Sequence, residues 1–324
     1  MLDLNLIDEA AAFLRPLVRR TPLEPSPDLS ERLGVPVSLK LECLQVTGSF
    51  KVRGALFALS KLPEDVRRRG VATCSAGNHG KGLAYAARRL GIPATIYVPA
   101  SVDASKHRAM VKMGARVIRS AFPGYDETEA WALEAAARAG LPFVSAYDDD
   151  RIMAGNGGSV AVEVCEDAPE ATTFVLPVGG GGLAGGFAYY VKAHRPEARI
   201  VACQHEGSPA LLRSLESGAA VTEMPAVETL AAGLEGGLGV RPFAVLRERV
   251  DHVALVSEEA IREGVRWMLD RHQYLIEPSS AVTVAACLAG DLPAPGGPVV
   301  VVLSGRNVSL PVLRDILNET PDAA

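Results

Sequence analysis

The segment Val299–Leu303 is five consecutive apolar residues, four of them valine, with no polar residue alternating between them. A strand with one face in water alternates apolar and polar side chains. A run like this one is buried on both faces, as happens where helices cover a parallel sheet on each side. Further strand candidates are Val37–Leu41, Ala94–Val98, Arg116–Ile118, Thr173–Leu176, Ile200–Cys203 and Val253–Val256, several of them continuous apolar runs rather than alternating ones. Helical patterns lie between them, among them Gly80–Leu90, Glu127–Arg138 and Ser257–His272, the last with Ser257 and Glu259 suited to its start. Alternation of this kind along nearly the whole chain predicts a doubly wound α/β architecture. The proline-rich stretch at 292–298 reads as a surface loop before the last strand.

A chain of 324 residues fits one large or two modest α/β domains. The net charge of -5, with basic residues scattered, argues against a nucleic-acid partner, which needs clustered Lys and Arg. The densest basic run, Arg67-Arg68-Arg69, reads as a solvated helix end. Five cysteines without a C-x-x-C pair suggest neither a disulfide framework nor a zinc site, and a reducing, cytoplasmic compartment is expected. No apolar run is long enough to span a bilayer, so no membrane association is expected. Asp3, Asp8 and Glu9 stand where a signal peptide would be positively charged, and none is expected.

Four segments carry chemistry. Gly179-Gly180-Gly181-Gly182-Leu183 follows an apolar strand and precedes the helical pattern Ala184–His194. Four glycines can turn their N–H groups toward one point, and a helix N-terminus adds partial positive charge, so the run makes a phosphate cradle without a basic side chain. It has neither the dinucleotide fingerprint nor the Lys-Ser/Thr of a P-loop, which points to a small phosphorylated ligand rather than ATP. The second segment is Gln45–Ala55, which holds Lys51. The chain has 7 lysines against 26 arginines, and lysine can form an imine with an aldehyde where arginine cannot. A solvent-facing lysine at a helix start is the alternative reading. The third is Cys74–Gly80, whose small residues and exposed N–H groups suit a carboxylate. Asn78 there could bond a phenolic oxygen, although Asn78 and His79 also read as ordinary helix caps. The fourth, Ser304-Gly305-Arg306-Asn307, puts a hydroxyl at the C-terminal end of the last strand, where such sheets bind ligands.

The segments T-G-S-F-K-x-R-G-A, S-A-G-N-H-G, G-G-G-G-L, E-P-S-S-A and S-G-R-N occur in that order between about Thr21 and Asn307. The chain resembles the serine/threonine dehydratase family, kin of serine racemase, among fold type II pyridoxal-phosphate enzymes. The resemblance implies the tryptophan synthase β-like fold with two doubly wound α/β domains. Residues 1–65 and 147–324 would form the large cofactor-binding domain, and residues 66–146 a small mobile one. It implies pyridoxal 5'-phosphate as cofactor, held as an imine by Lys51, which later takes the Cα proton. Phe50 would pack near the ring and Asn78 would bond its hydroxyl. Gly179, Gly180, Gly181, Gly182 and Leu183 would hold the phosphate, and Ser304 would meet the pyridine nitrogen. Ser75, Ala76, Gly77 and His79 would line the substrate carboxylate loop. A small-molecule amino-acid substrate and a homodimer are expected.

Three departures from the family pattern matter. Arg306 stands where the family usually has glycine, which changes the shape of the last loop or offers an extra anion contact. Counting without gaps places Gln204 where metal-activated relatives carry an acidic ligand, so no metal ligand is assigned. The chain also ends soon after Asn307, without the regulatory domain of biosynthetic threonine dehydratases, so feedback by an amino acid is not expected. The reading is a lyase that eliminates water from L-threonine, L-serine or a related 3-hydroxy amino acid, giving a 2-oxo acid and ammonia. A serine racemase and a catalytically silent ligand-binding protein of the same fold are the rivals.

Overall fold

A computed structural model describes residues 1–122 and 124–318. The strands are β1 (Leu23–Pro25), β2 (Val37–Lys40), β3 (Val71–Cys74), β4 (Ala94–Val98), β5 (Arg116–Arg119), β6 (Thr173–Pro177), β7 (Arg199–His205), β8 (His252–Val256) and β9 (Val299–Val302). They form a six-stranded sheet in the order β1-β2-β9-β6-β7-β8 and a three-stranded sheet in the order β3-β4-β5. Every neighbouring pair is parallel except β1 with β2. The valine run becomes β9, buried along its whole length between β2 and β6. This is the environment its unbroken apolar character calls for. β1 and β3 are not among the apolar runs picked out from the sequence. β1 is a three-residue edge strand with a glutamate and a proline, and β3 is a short run with a threonine in it.

Helix positions follow the sequence signals closely. The pattern at 257–272 forms the helix Glu258–His272, and the Ser257 side chain accepts from the Ala260 N–H at its start. The basic run closes the helix Glu64–Arg69, with Arg69 paired to Asp65 one turn back. Among the described residues no helix is long and apolar enough to cross a membrane.

The topology gathers the segments singled out above. β2, β6 and β9 run parallel, so their C-terminal ends share one edge of the large sheet. The chain leaves β2 toward Lys51, β6 toward the glycine run, and β9 toward Ser304. The C-terminal end of β3 supplies Ser75–Gly77 from the small sheet. The Lys51 helix is fixed from below by Arg53, which is fully buried and bonded to Glu42 at 2.8 and 2.7 Å and to Glu163 at 2.8 and 3.0 Å. Lys40 completes the set at 2.7 Å from Glu163, giving two cations against two carboxylates. Removing one member of such a buried network costs on the order of 3–5 kcal/mol, so this group holds the helix in one position.

Candidate active site

Lys51 opens the helix Lys51–Ser60. The residues before it are pinned to the end of β9: Ser49 bridges to Gly305, and the Phe50 N–H donates to the Ser304 carbonyl at 3.2 Å. Lys51 Nζ donates to the Ala146 carbonyl at 2.9 Å and lies 5.2 Å from the centroid of the buried Phe50 ring. Among the described residues no carboxylate pairs with it, whereas Lys40 pairs with Glu163 and Lys61 with Glu9. Burial pushes the Lys51 ammonium down to about 8, opposed in part by the charge of Glu277. About a tenth of Lys51 is therefore unprotonated, and nucleophilic, at pH 7, far more than of an exposed lysine. The rate at which cofactor-free protein captures an aldehyde cofactor should accordingly rise with a midpoint near pH 8. Stopped-flow absorbance across pH 6–10 measures it, and a midpoint near 10, the range of an exposed lysine, would show Lys51 unperturbed.

The glycine run lies between β6 and the helix Gly182–His194, with Gly181 in the left-handed region at φ 86°. Side chains are excluded here by close packing. A Cβ on Gly179 would fall 2.2 Å from the Gly233 carbonyl oxygen, and one on Gly180 would fall 2.4 Å from the Tyr147 ring. The N–H groups from Gly179 to Leu183 find no acceptor among the described residues. Orphan backbone donors gathered at one helix N-terminus are a cradle for an anion. Ser304 is nearly buried, and its hydroxyl likewise makes no hydrogen bond to another described residue. A lysine without an ionic partner, five unmet backbone donors and an unmet hydroxyl, all at one sheet edge, fit an aldehyde cofactor that carries a phosphate.

The loop after β3 brings Ser75, Ala76 and Gly77 to the same edge. The Ser75 N–H donates to the Tyr97 carbonyl at 3.0 Å, and the Ser75 hydroxyl accepts from the Gly77 N–H at 3.2 Å. Ala76 is half-buried and Gly77 is exposed, with open space beside its Cα. The helix Asn78–Leu90 has Gly77 at its cap position and no side-chain cap, so neither Asn78 nor His79 plays the capping role open to them in the sequence. The Asn78 amide nitrogen donates to Glu277 at 2.6 Å instead. His79 is turned beneath the loop, with Nε2 3.1 Å from the Thr73 hydroxyl. Burial, and then the nearby charge of Lys51, hold its imidazole down to about 3, so it stays neutral.

Sequence reasoning left several neighbours without a role. Glu277, Asn307 and Lys81 join Asn78 in a chain of hydrogen bonds, and Tyr147 packs over the glycine run. The signal for Glu277 was an acid directly before a helix-starting proline, inside E-P-S-S-A. At position 204 the structure explains the amide. Gln204 Oε1 accepts from the N–H groups of Leu211 and Leu212, and Nε2 donates to the Val178 carbonyl, so this side chain serves the backbone around it. Arg306 is half-buried beside Lys81, and among the described residues no carboxylate pairs with its guanidinium.

The family model described as pyridoxal-phosphate dependent enzyme matches residues 14–305. The chain belongs to this family. It is 38% identical over 318 residues to an L-threonine ammonia-lyase of Geobacter sulfurreducens, covering 98% of this chain and 78% of that one. The structure of maize serine racemase superposes with a TM-score of 0.91 at 31% identity, covering 98% of this chain and 97% of that one. The processed form of threonine deaminase isoform 2 from Solanum lycopersicum gives a TM-score of 0.90 at 29% identity, with 97% and 87% covered. Membership of the pyridoxal-phosphate family fixes the cofactor class and confirms the α/β architecture read from the sequence. Within the family the chain is an enzyme of the threonine dehydratase type.

Proposed function

We propose that the protein is a dehydratase that converts L-threonine, L-serine or a related 3-hydroxy amino acid to the 2-oxo acid and ammonia. Pyridoxal phosphate, when bound, supplies an electron sink for the bond broken at Cα. The N–H groups of Gly179 to Leu183 would hold its phosphate, the Ser304 hydroxyl would meet the pyridine nitrogen, and Asn78 would donate to the ring oxygen, with Phe50 against the ring. The Lys51 amine would condense with the cofactor aldehyde, releasing water, and, once displaced by the substrate amine, would accept the proton from the substrate Cα. Ser75, Ala76 and Gly77 hold the substrate carboxylate, with His79 supporting the loop from below. Residues 66–146 act as a small mobile domain that closes over the substrate and keeps water out. The working unit is a homodimer.

The observation that carries elimination over racemisation is Ala76. Racemisation needs an acid–base group on each face of Cα. Racemases of this family carry a serine just before the Gly-Asn-His of the loop, and alanine stands here. Ser75 has its hydroxyl engaged with the Gly77 N–H, and His79 is neutral and bonded beneath the loop. Lys51 thus has no acid–base partner on the opposite face, which favours loss of the substrate β-hydroxyl over return of a proton to that face of Cα. Chiral chromatography of the reaction with L-serine should find pyruvate with almost no D-serine, and Ala76→Ser should introduce D-serine while cofactor binding is unchanged. D-serine from the native protein at a rate comparable to pyruvate would favour the racemase reading instead.

A further inference from the structure

Glu277 is 7% exposed and stands at the N-cap position of the helix Pro278–Ala289, yet its side chain does not cap that helix. The carboxylate turns toward Asn78. Oε1 accepts from Asn78 Nδ2 at 2.6 Å, and Oε2 accepts from the Asn307 backbone N–H at 3.1 Å. The approach depends on the glycine after Ser304: a Cβ on Gly305 would lie 2.2 Å from Glu277 Oε1. On its other side Asn78 Oδ1 accepts from Asn307 Nδ2 at 2.6 Å, and Asn307 Oδ1 accepts from Lys81 Nζ at 2.7 Å.

The two ends of this chain fix its sense. An amide can be turned over at little cost, because its oxygen and nitrogen have the same shape. Here the ammonium of Lys81 can only donate, so Asn307 must offer it oxygen and present nitrogen to Asn78. Both Glu277 oxygens are used as acceptors, so Asn78 must offer nitrogen there. The two ends agree on Asn78, but not equally: Glu277 holds its amide nitrogen directly, whereas Lys81 reaches it only through Asn307, whose own N–H is held by Glu277 Oε2. One of its two amide hydrogens goes to Glu277, and the second is left over.

We infer that Glu277 is a positioning residue: it locks Asn78 in the orientation that presents an N–H, never a C=O, to the ring oxygen of the cofactor. This rests on the assignment of Asn78 to that oxygen. A donor stabilises the ring oxygen once the neighbouring nitrogen has lost its proton, so losing the donor raises the pH at which the visible band of bound cofactor titrates. Losing a nearby negative charge does the reverse. The charged groups facing Glu277 are Lys51, Lys81 and Lys106, with Arg306 beside Lys81.

Spectrophotometric pH titration of the holoenzyme separates these effects in the native protein, Glu277→Ala, Asn78→Ala and the double variant. In the native background the midpoint shift caused by Glu277→Ala should lie at least about one pH unit above the shift that the same substitution causes in Asn78→Ala. Equal shifts in the two backgrounds, whatever their sign, would make Glu277 a buried charge and nothing more, and overturn the inference. The Asn78→Ala arm reads the underlying assignment by itself: a native midpoint and native cofactor retention there would remove Asn78 from the ring oxygen. If Glu277→Ala does not retain cofactor, Glu277→Gln keeps the shape. It can satisfy Asn78 Nδ2 or the Asn307 N–H but not both, and the same comparison between backgrounds applies with the same deciding outcomes.

Discussion

Replacing Lys51 with alanine is expected to lower 2-oxo acid formation by at least about 10³-fold while the protein stays folded. The loss is large because one side chain has two duties, bonding the cofactor aldehyde and moving the Cα proton. The fold should tolerate the change because among the described residues Lys51 has no ion pair to break. Lys51 donates to the Ala146 carbonyl, and the helix behind it is held by Arg53. Circular dichroism and a thermal melt check the fold, and a coupled assay checks turnover. Borohydride reduction of native holoenzyme should attach the cofactor to the peptide containing Lys51. Attachment at Lys40 or Lys61 would overturn the assignment, and the structure gives each of those lysines a carboxylate partner instead.

Gly179→Ala is expected to weaken cofactor binding by about 30- to 1000-fold with little change in the fold. The added Cβ would sit 2.2 Å from the Gly233 carbonyl oxygen, a backbone atom that cannot rotate away. The strand end or the loop at 233 must move, and the N–H groups from Gly179 to Leu183 move with it. Hydrogen bonds to a charged group are worth about 1.5–3 kcal/mol each, so misaligning one or two of them costs about 2–4 kcal/mol of affinity. Fluorescence titration of cofactor-free protein with pyridoxal phosphate measures this. Native affinity in Gly179→Ala would mean that the phosphate is held elsewhere.

The chain order of elements was legible wherever burial left an unbroken apolar run, as at β9 and β6. It was not legible at β1, where an edge strand of three residues needs no such run, nor at β3. The glycine run, Lys51 and Ser304 could be read as a ligand site because each is costly or scarce in its place. The network behind Asn78 could not. Asn78 and Lys81 share one helix start, but Glu277 and Asn307 come from other parts of the chain, and all four residue types are common on any surface. Only the fold shows that a glutamate in front of a helix turns from the helix toward an asparagine 199 positions away in the chain. His79 shows the opposite limit. The resemblance set it among the residues that line the substrate carboxylate loop, and only the fold shows that its imidazole is buried against Thr73 and kept neutral.

The most direct measurement is the product analysis of purified holoenzyme with a panel of 3-hydroxy amino acids that includes L-threonine and L-serine. The 2-oxo acids would be captured as hydrazones and ammonia measured in the same samples. The expected result is equimolar 2-oxo acid and ammonia from at least one of them, abolished in Lys51→Ala. A holoenzyme that carries its cofactor on Lys51 yet releases neither product from any member of the panel would contradict the dehydratase assignment.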